Sequence, residues 1–174
     1  MGNPNGRDIL KTVDYKTLMS WNPCEDFSKG RIADLFAGRE RVSVKDVFDV
    51  DMRQDEQLWA VLREAFFSIT ELESMASYFT LHASRKLDYS DPIVSSALLN
   101  AHMASTGSFD LLPEDKRQDR WSKGATDPEK RAALAALWSA TARSETETKK
   151  KKRLKEWNKE RDWQVRFVKD KAGL

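Results

Sequence analysis

Apolar positions are densest between Leu58 and Leu87, LWAVLREAFFSITELESMASYFTLHASRKL, and within that ladder Leu72, Met75, Ala76, Phe79, Ala83 and Leu87 recur three and four residues apart. That spacing places them on one face of an α-helix. It predicts a helix from about Glu71 to Leu87, opened by a capping box in which Thr70 and Glu73 satisfy exposed backbone N–H groups. A second helix follows at once. Asp91 and Pro92 supply a cap and a first-turn proline, Val94, Ala97, Leu98, Ala101 and Ala104 repeat helically, and Gly107 offers a left-handed stop. A short connection between two helices favours antiparallel packing, so the pair is expected to form a helical hairpin at the centre of the fold.

The same periodicity recurs elsewhere. Asp127-Pro128 opens an alanine-rich segment running through Ala132, Leu134, Ala136 and Trp138 to Ala142. Residues 113–123 read as a short charged helix anchored by Trp121 and ended by Gly124. The last segment, about 147–171, carries Leu154, Trp157, Val165 and Val168 on a sparse stripe, with Trp163 and Phe167 on an adjoining one. Towards the start, Tyr15, Leu18, Met19 and Trp21 suggest one short helix, and Ile32, Leu35 and Phe36 another ended by Gly38. Ser43 and Asp46 form a capping-box variant ahead of Val47, Phe48 and Val50. No alternating apolar and polar run flanked by turn dipeptides is present, so no sheet is expected. The pattern as a whole predicts an all-α, compact multi-helix bundle of about eight helices. Residues 1–11 are expected to form a flexible N-terminus, and residues 12–174 a single helical domain with a basic C-terminal helix at about 147–171.

Size is consistent with this: a chain of 174 residues, 40% of them hydrophobic, buries roughly 70% of its unfolded surface on folding. A single cysteine, Cys24, rules out an internal disulfide. No window approaches the roughly 18 consecutive apolar residues of a membrane span, and the polar start MGNPNGRD lacks the apolar core of a secretory signal. A soluble, cytoplasmic protein of a reducing compartment is the expectation. The net charge of +2 conceals an asymmetry. Residues 143–174 hold 12 Lys and Arg against 6 Asp and Glu, whereas residues 1–142 hold 18 against 22. Such a contrast suits a nucleic-acid or an acidic-partner surface, although both signs alternate through most of the tail.

Candidate chemistry is sparse. Asp49, Asp51, Asp55 and Glu56 could present oxygen ligands to a hard cation. They lack the glycine and the distal glutamate of a calcium loop, and they fall where a helix should begin, so capping explains them better. His82 and His102 sit at different heights along the expected hairpin, about 7–8 Å apart along its axis, and neither has a partner at zinc spacing. They read as ordinary, partly buried histidines. Cys24 has no histidine near it in sequence. No phosphate-cradling glycine loop, nucleophile elbow or HExxH occurs, so no cofactor, metal or catalytic residue is expected and the chain does not read as an enzyme. The sharpest feature is the basic stretch Lys149-Lys150-Lys151-Lys152-Arg153, continued by Lys155 and Lys159 and interleaved with Trp157 and Trp163. Phosphate binding would use such a surface, but Glu145, Glu147, Glu156, Glu160 and Asp162 dilute it, and tryptophans at helical spacing are commonly core anchors.

Several blocks together resemble a known family: SWNPCEDF around Trp21 to Cys24, VSVKDVFDV at Val42 to Val50, LWAVLRE at Leu58 to Glu64, DPIVSSALLNAHMASTG at Asp91 to Gly107, the alanine-rich KRAALAALWSATAR, and WQVRFV at Trp163 to Val168. The chain resembles, over most of its length, uncharacterised helical phage and prophage proteins labelled immunity proteins. In that family the Asp-Pro pair is followed by arginine, where Ile93 stands here, and the alanine-rich helix is longer. The matching residues are packing residues and transfer no site. The resemblance implies a phage- or mobile-element-encoded inhibitor that neutralises a toxin, an effector or a host-defence protein by stoichiometric binding. The alternative is a nucleic-acid-associated accessory protein that uses the basic C-terminal helix. Either way, the expected contact face is Lys150, Lys151, Lys152, Arg153, Lys155 and Lys159.

Overall fold

The computed structural model describes residues 11–21, 23, 29–85, 87, 89–108, 125–147 and 149–174. Among these, eight helices and two three-residue strands follow in the order β1 (Thr12–Asp14), α1 (Tyr15–Ser20), α2 (Lys29–Phe36), β2 (Arg41–Ser43), α3 (Val44–Asp49), α4 (Gln54–Val61), α5 (Ile69–Ser84), α6 (Pro92–Thr106), α7 (Asp127–Glu145) and α8 (Lys150–Lys171). The fold is an essentially all-α bundle. The expected charged helix at 113–123, with Trp121, lies outside the described residues, as does Cys24.

The expectation of no sheet is corrected by a small ribbon: β1 pairs antiparallel with β2, Thr12 opposite Ser43 and Val13 opposite Val42. At three residues a strand shows no alternation to read. The ribbon is held by one inward pair, Val13 and Val42, both buried, and by Arg41, which donates to the Thr12 hydroxyl at 2.7 Å and the Thr12 carbonyl at 2.6 Å. Each strand also ends on the N-cap of the next helix. Asp14 accepts from the Thr17 backbone N–H at 2.7 Å, and Ser43 and Asp46 form the capping box expected for α3.

Other helix ends follow the sequence with two shifts. Asp91 caps α6 ahead of Pro92, and Gly107 ends it at φ 77°. A side chain there would be strained, and its Cβ would lie 2.6 Å from the Arg131 guanidinium. The box that opens α5 is Ser68 with Glu71, two residues before the expected Thr70 and Glu73. Glu73 instead binds Arg131 of α7 at 2.5 Å. Similarly, α7 starts from Thr126, whose N–H donates to Glu129 at 2.9 Å, and Asp127 falls in the first turn.

The expected central hairpin is displaced from the centre. Helix α7 packs against both α5 and α6 more extensively than they pack on each other, and α8 covers it from another side. The cause is composition: Ala132, Ala133, Ala135, Ala136, Ala140 and Ala142 are all buried, and their small side chains let three helices approach one axis. The main core joins both strands, α1 to α5, one face of α7 and α8 around Leu18, Leu35, Leu58, Leu62 and Phe79.

Candidate functional site

The basic C-terminal helix is held along its second half by side chains that leave its first turns exposed. Val165 and Val168 are buried. Trp163 and Phe167 meet Phe79 of α5 edge-on at 6.3 and 6.0 Å between ring centroids. The Trp163 ring lies flat on the His82 imidazole at 3.5 Å. Gln164, fully buried, donates to the Ala136 carbonyl at 3.0 Å and accepts from Arg161 at 2.9 Å, tying α8 to α7. Leu154, expected on the core stripe, is 60% exposed, although its neighbour Arg153 reaches Glu145 at the end of α7.

Glu160, 2% exposed, is the buried acid of this seam, beside the equally buried Arg161, and the sequence offered no signal for it. Its two oxygens lie 3.1 Å from His82 Nδ1, and Arg143 stands 3.9 Å away. Burial raises the carboxyl above its ordinary value of 4.5, with His82 and Arg143 pulling the other way. The fold therefore favours the protonated acid more than the unfolded chain does. That contribution is fully present below the unfolded value and is lost as pH rises through the raised folded value. Glu160→Gln has no such loss. The urea midpoint of the unaltered protein should fall relative to that of Glu160→Gln as pH rises from about 4.5 to about 7.5, and a constant gap across that range would contradict the account.

Six cations were expected to share one face, and the structure divides them. Lys152 pairs with Glu147 at 3.5 Å, Arg153 with Glu145 at 3.2 Å, and Lys159 with Glu156, whose carboxyl it holds below the usual glutamate range. Lys150, Lys151 and Lys155 are exposed and make no ion pair among the described residues. Lys149 stands at the N-cap with no side-chain cap, and the first turn of α8 holds no acidic residue. Backbone N–H groups and the helix dipole already make this end positive, so a lysine cluster here runs against local helix stability. The two tryptophans are occupied as packing groups: Trp163 by His82, and Trp157 by the Arg161 guanidinium at 4.9 Å.

Of the remaining candidates, Glu56, Asp55 and Asp49 make ion pairs within the fold. Glu56 is buried, takes both Arg31 contacts at 2.6 and 2.7 Å and accepts from the Arg53 backbone N–H at 3.0 Å. Asp55 lies 3.6 Å from Arg53, Asp49 pairs with Lys45, and Asp51 is exposed. Among the described residues no group of three His, Cys, Asp or Glu side chains is gathered as a metal would require. His82 and His102 are not brought together: the first faces α8, and the second lines a groove between α5 and α6. No helix among the described residues is long and apolar enough to cross a membrane. No family model, curated protein or solved structure matches this chain.

Proposed function

We propose that this chain is a non-enzymatic binding protein that neutralises a partner protein by stoichiometric association, of the kind phages and mobile elements direct at a toxin, an effector or a host-defence component. The observation that carries the reading is the start of α8, where Lys149, Lys150 and Lys151 crowd an uncapped, already positive helix end. A sequence that breaks a local stability rule on an exposed surface points to a role outside stability. An acidic surface on a protein partner meets both the lysines and the helix dipole.

Nucleic acid is the weaker reading. Base stacking needs exposed aromatic faces beside the cations, and Trp163 is stacked on His82 and Phe167 while one face of Trp157 is taken by Arg161. The six-residue face also carries Glu147, Glu145 and Glu156 within ion-pair reach. Immobilised protein passed over host lysate, with and without nuclease, separates the two. Retention of one protein in near-equal molar amount after nuclease treatment is expected. Binding that vanishes with nuclease, or that transfers to bare DNA and falls steeply with salt, would overturn it.

A further inference from the structure

We infer that the partner meets one side of α8 with an acidic helix of its own, which seats an apolar side chain on Leu154 while its carboxylates reach Lys150, Lys151 and Lys155. This rests on the reading of α8 as the partner-binding element. It adds which side of that helix is used and what the partner must present.

The first turns of α8 have two chemically different sides. At about 100° of rotation per residue, Lys150, Leu154, Asn158, Lys151 and Lys155 fall in that order across an arc of about 140°. Lys159, Lys152, Glu156 and Arg153 fall on the opposite side. There each cation is paired within the fold: Lys159 with Glu156, Lys152 with Glu147 at 3.5 Å, and Arg153 with Glu145 at 3.2 Å. On the Leu154 side the three lysines make no ion pair among the described residues. Glu156 is the one acid between Lys150 and Lys159, and it belongs to the paired side. Pairing therefore leaves a strip of single sign, in which Lys151 and Lys155 stand four apart as like charges that destabilise a helix.

Leu154, 60% exposed, lies within that strip, with Lys150 and Lys151 four and three residues before it and the half-buried Trp157 three residues after. Residues at those separations are neighbours on a helix surface. A lysine stem is apolar up to its ammonium, so lysines so placed widen the carbon surface that the leucine offers and rim it with charge. An apolar centre inside a polar rim is the anatomy of a protein interface. The charge identifies the occupant: a rim of one sign demands acids around the apolar contact, and cations four apart match carboxylates at the same spacing on a facing helix. A membrane is the poorer match, because a helix lying in a bilayer surface needs a long apolar face. Here that face shrinks to Leu154 and Trp157 before Glu160, Arg161 and Gln164 are buried against the bundle.

Calorimetric titration with two lactam-bridged helical peptides of about 14 residues, about 21 Å long, tests this. Both are glutamate-rich and equal in charge; one carries leucines along a single seam, the other glutamines in their place. The leucine peptide should bind the unaltered protein at least about tenfold more tightly. In Leu154→Gln, a change to another good helix former, that advantage should vanish while binding of the glutamine peptide stays the same. Leu99→Gln, at a comparably exposed leucine of α6, should keep the advantage. Equal binding of the two peptides to the unaltered protein would overturn the inference and leave the acidic-partner reading standing. So would an advantage that survives Leu154→Gln, or one lost equally in Leu99→Gln. If neither peptide binds at about 1 mM, the acidic-partner reading falls and the inference with it. Binding to phosphatidylserine vesicles that Leu154→Gln weakens as much as it weakens the leucine peptide would assign the strip to an anionic membrane and also overturn it.

Discussion

Glu129→Ala should lower the stability of the fold by roughly 3–5 kcal/mol, a large share of the roughly 5–15 kcal/mol typical of a domain. Glu129, 5% exposed, accepts from the Glu64 backbone N–H at 2.7 Å and the Thr126 backbone N–H at 2.9 Å, and lies 3.3 Å from Arg63 Nη1. Arg63 is itself 1% exposed, with its guanidinium 5.0 and 4.6 Å from the ring centroids of Trp21 and Trp59 and its Nε donating to the Trp59 carbonyl at 3.1 Å. Burial pulls the Arg63 pKa down and Glu129 holds it up, and an arginine keeps its charge regardless. Without the carboxylate a buried cation loses its counter-charge, and α7 loses the acceptor that closes its first turn. Urea unfolding measures the loss. Removing both charges in Arg63→Met with Glu129→Gln should cost less than Glu129→Ala, because no bare charge remains. A loss below about 1 kcal/mol for Glu129→Ala would refute the assignment of this pair as a structural anchor.

Phe79→Ala should cost a similar roughly 3–5 kcal/mol, and its effect should be local in a specific way. Phe79 is fully buried and is the α5 side of the aromatic seam with Trp163 and Phe167. Truncating it leaves a cavity where α8 meets the bundle, whereas α6 docks on α5 and α7 through other residues. In hydrogen exchange, amides of α8 should lose more protection than those of α6. Equal loss in both helices would show that α8 is not separately anchored by this seam.

Which of these features can be read from one chain depends on sequence separation. The faces of α5 and α6, the Ser43–Asp46 box, the Asp91-Pro92 start and the Gly107 stop are all set within a few residues, and local rules find them. The start of α5 was ambiguous for a physical reason. Ser68 with Glu71 and Thr70 with Glu73 are overlapping boxes, and Arg131, 58 residues after Glu73, claims the second carboxylate. The same limit hides the Arg63–Glu129 and His82–Glu160 pairs, 66 and 78 residues apart. The alanine content of α7 is plain in the sequence, but only the assembled bundle puts that helix at the centre. At the candidate site the lysine run is plain in the sequence. Its division into paired and unpaired cations was partly legible, since Glu156 and Lys159 stand three apart, and partly set by where Glu145 and Glu147 fall before α8.

The claim that matters most is that the unpaired lysines at the start of α8 hold the partner. Lys150→Glu, Lys151→Glu and Lys155→Glu combined in one chain test it well, because the first two place acids at a helix N-terminus and should stabilise α8 rather than unfold it. Lysate capture by this variant, run beside the unaltered protein after nuclease treatment, is the direct measurement. The partner retained by the unaltered chain should be lost from the triple variant, with affinity down by on the order of a hundredfold and thermal stability equal or higher. Equal retention by both chains would contradict the account and move the working surface elsewhere.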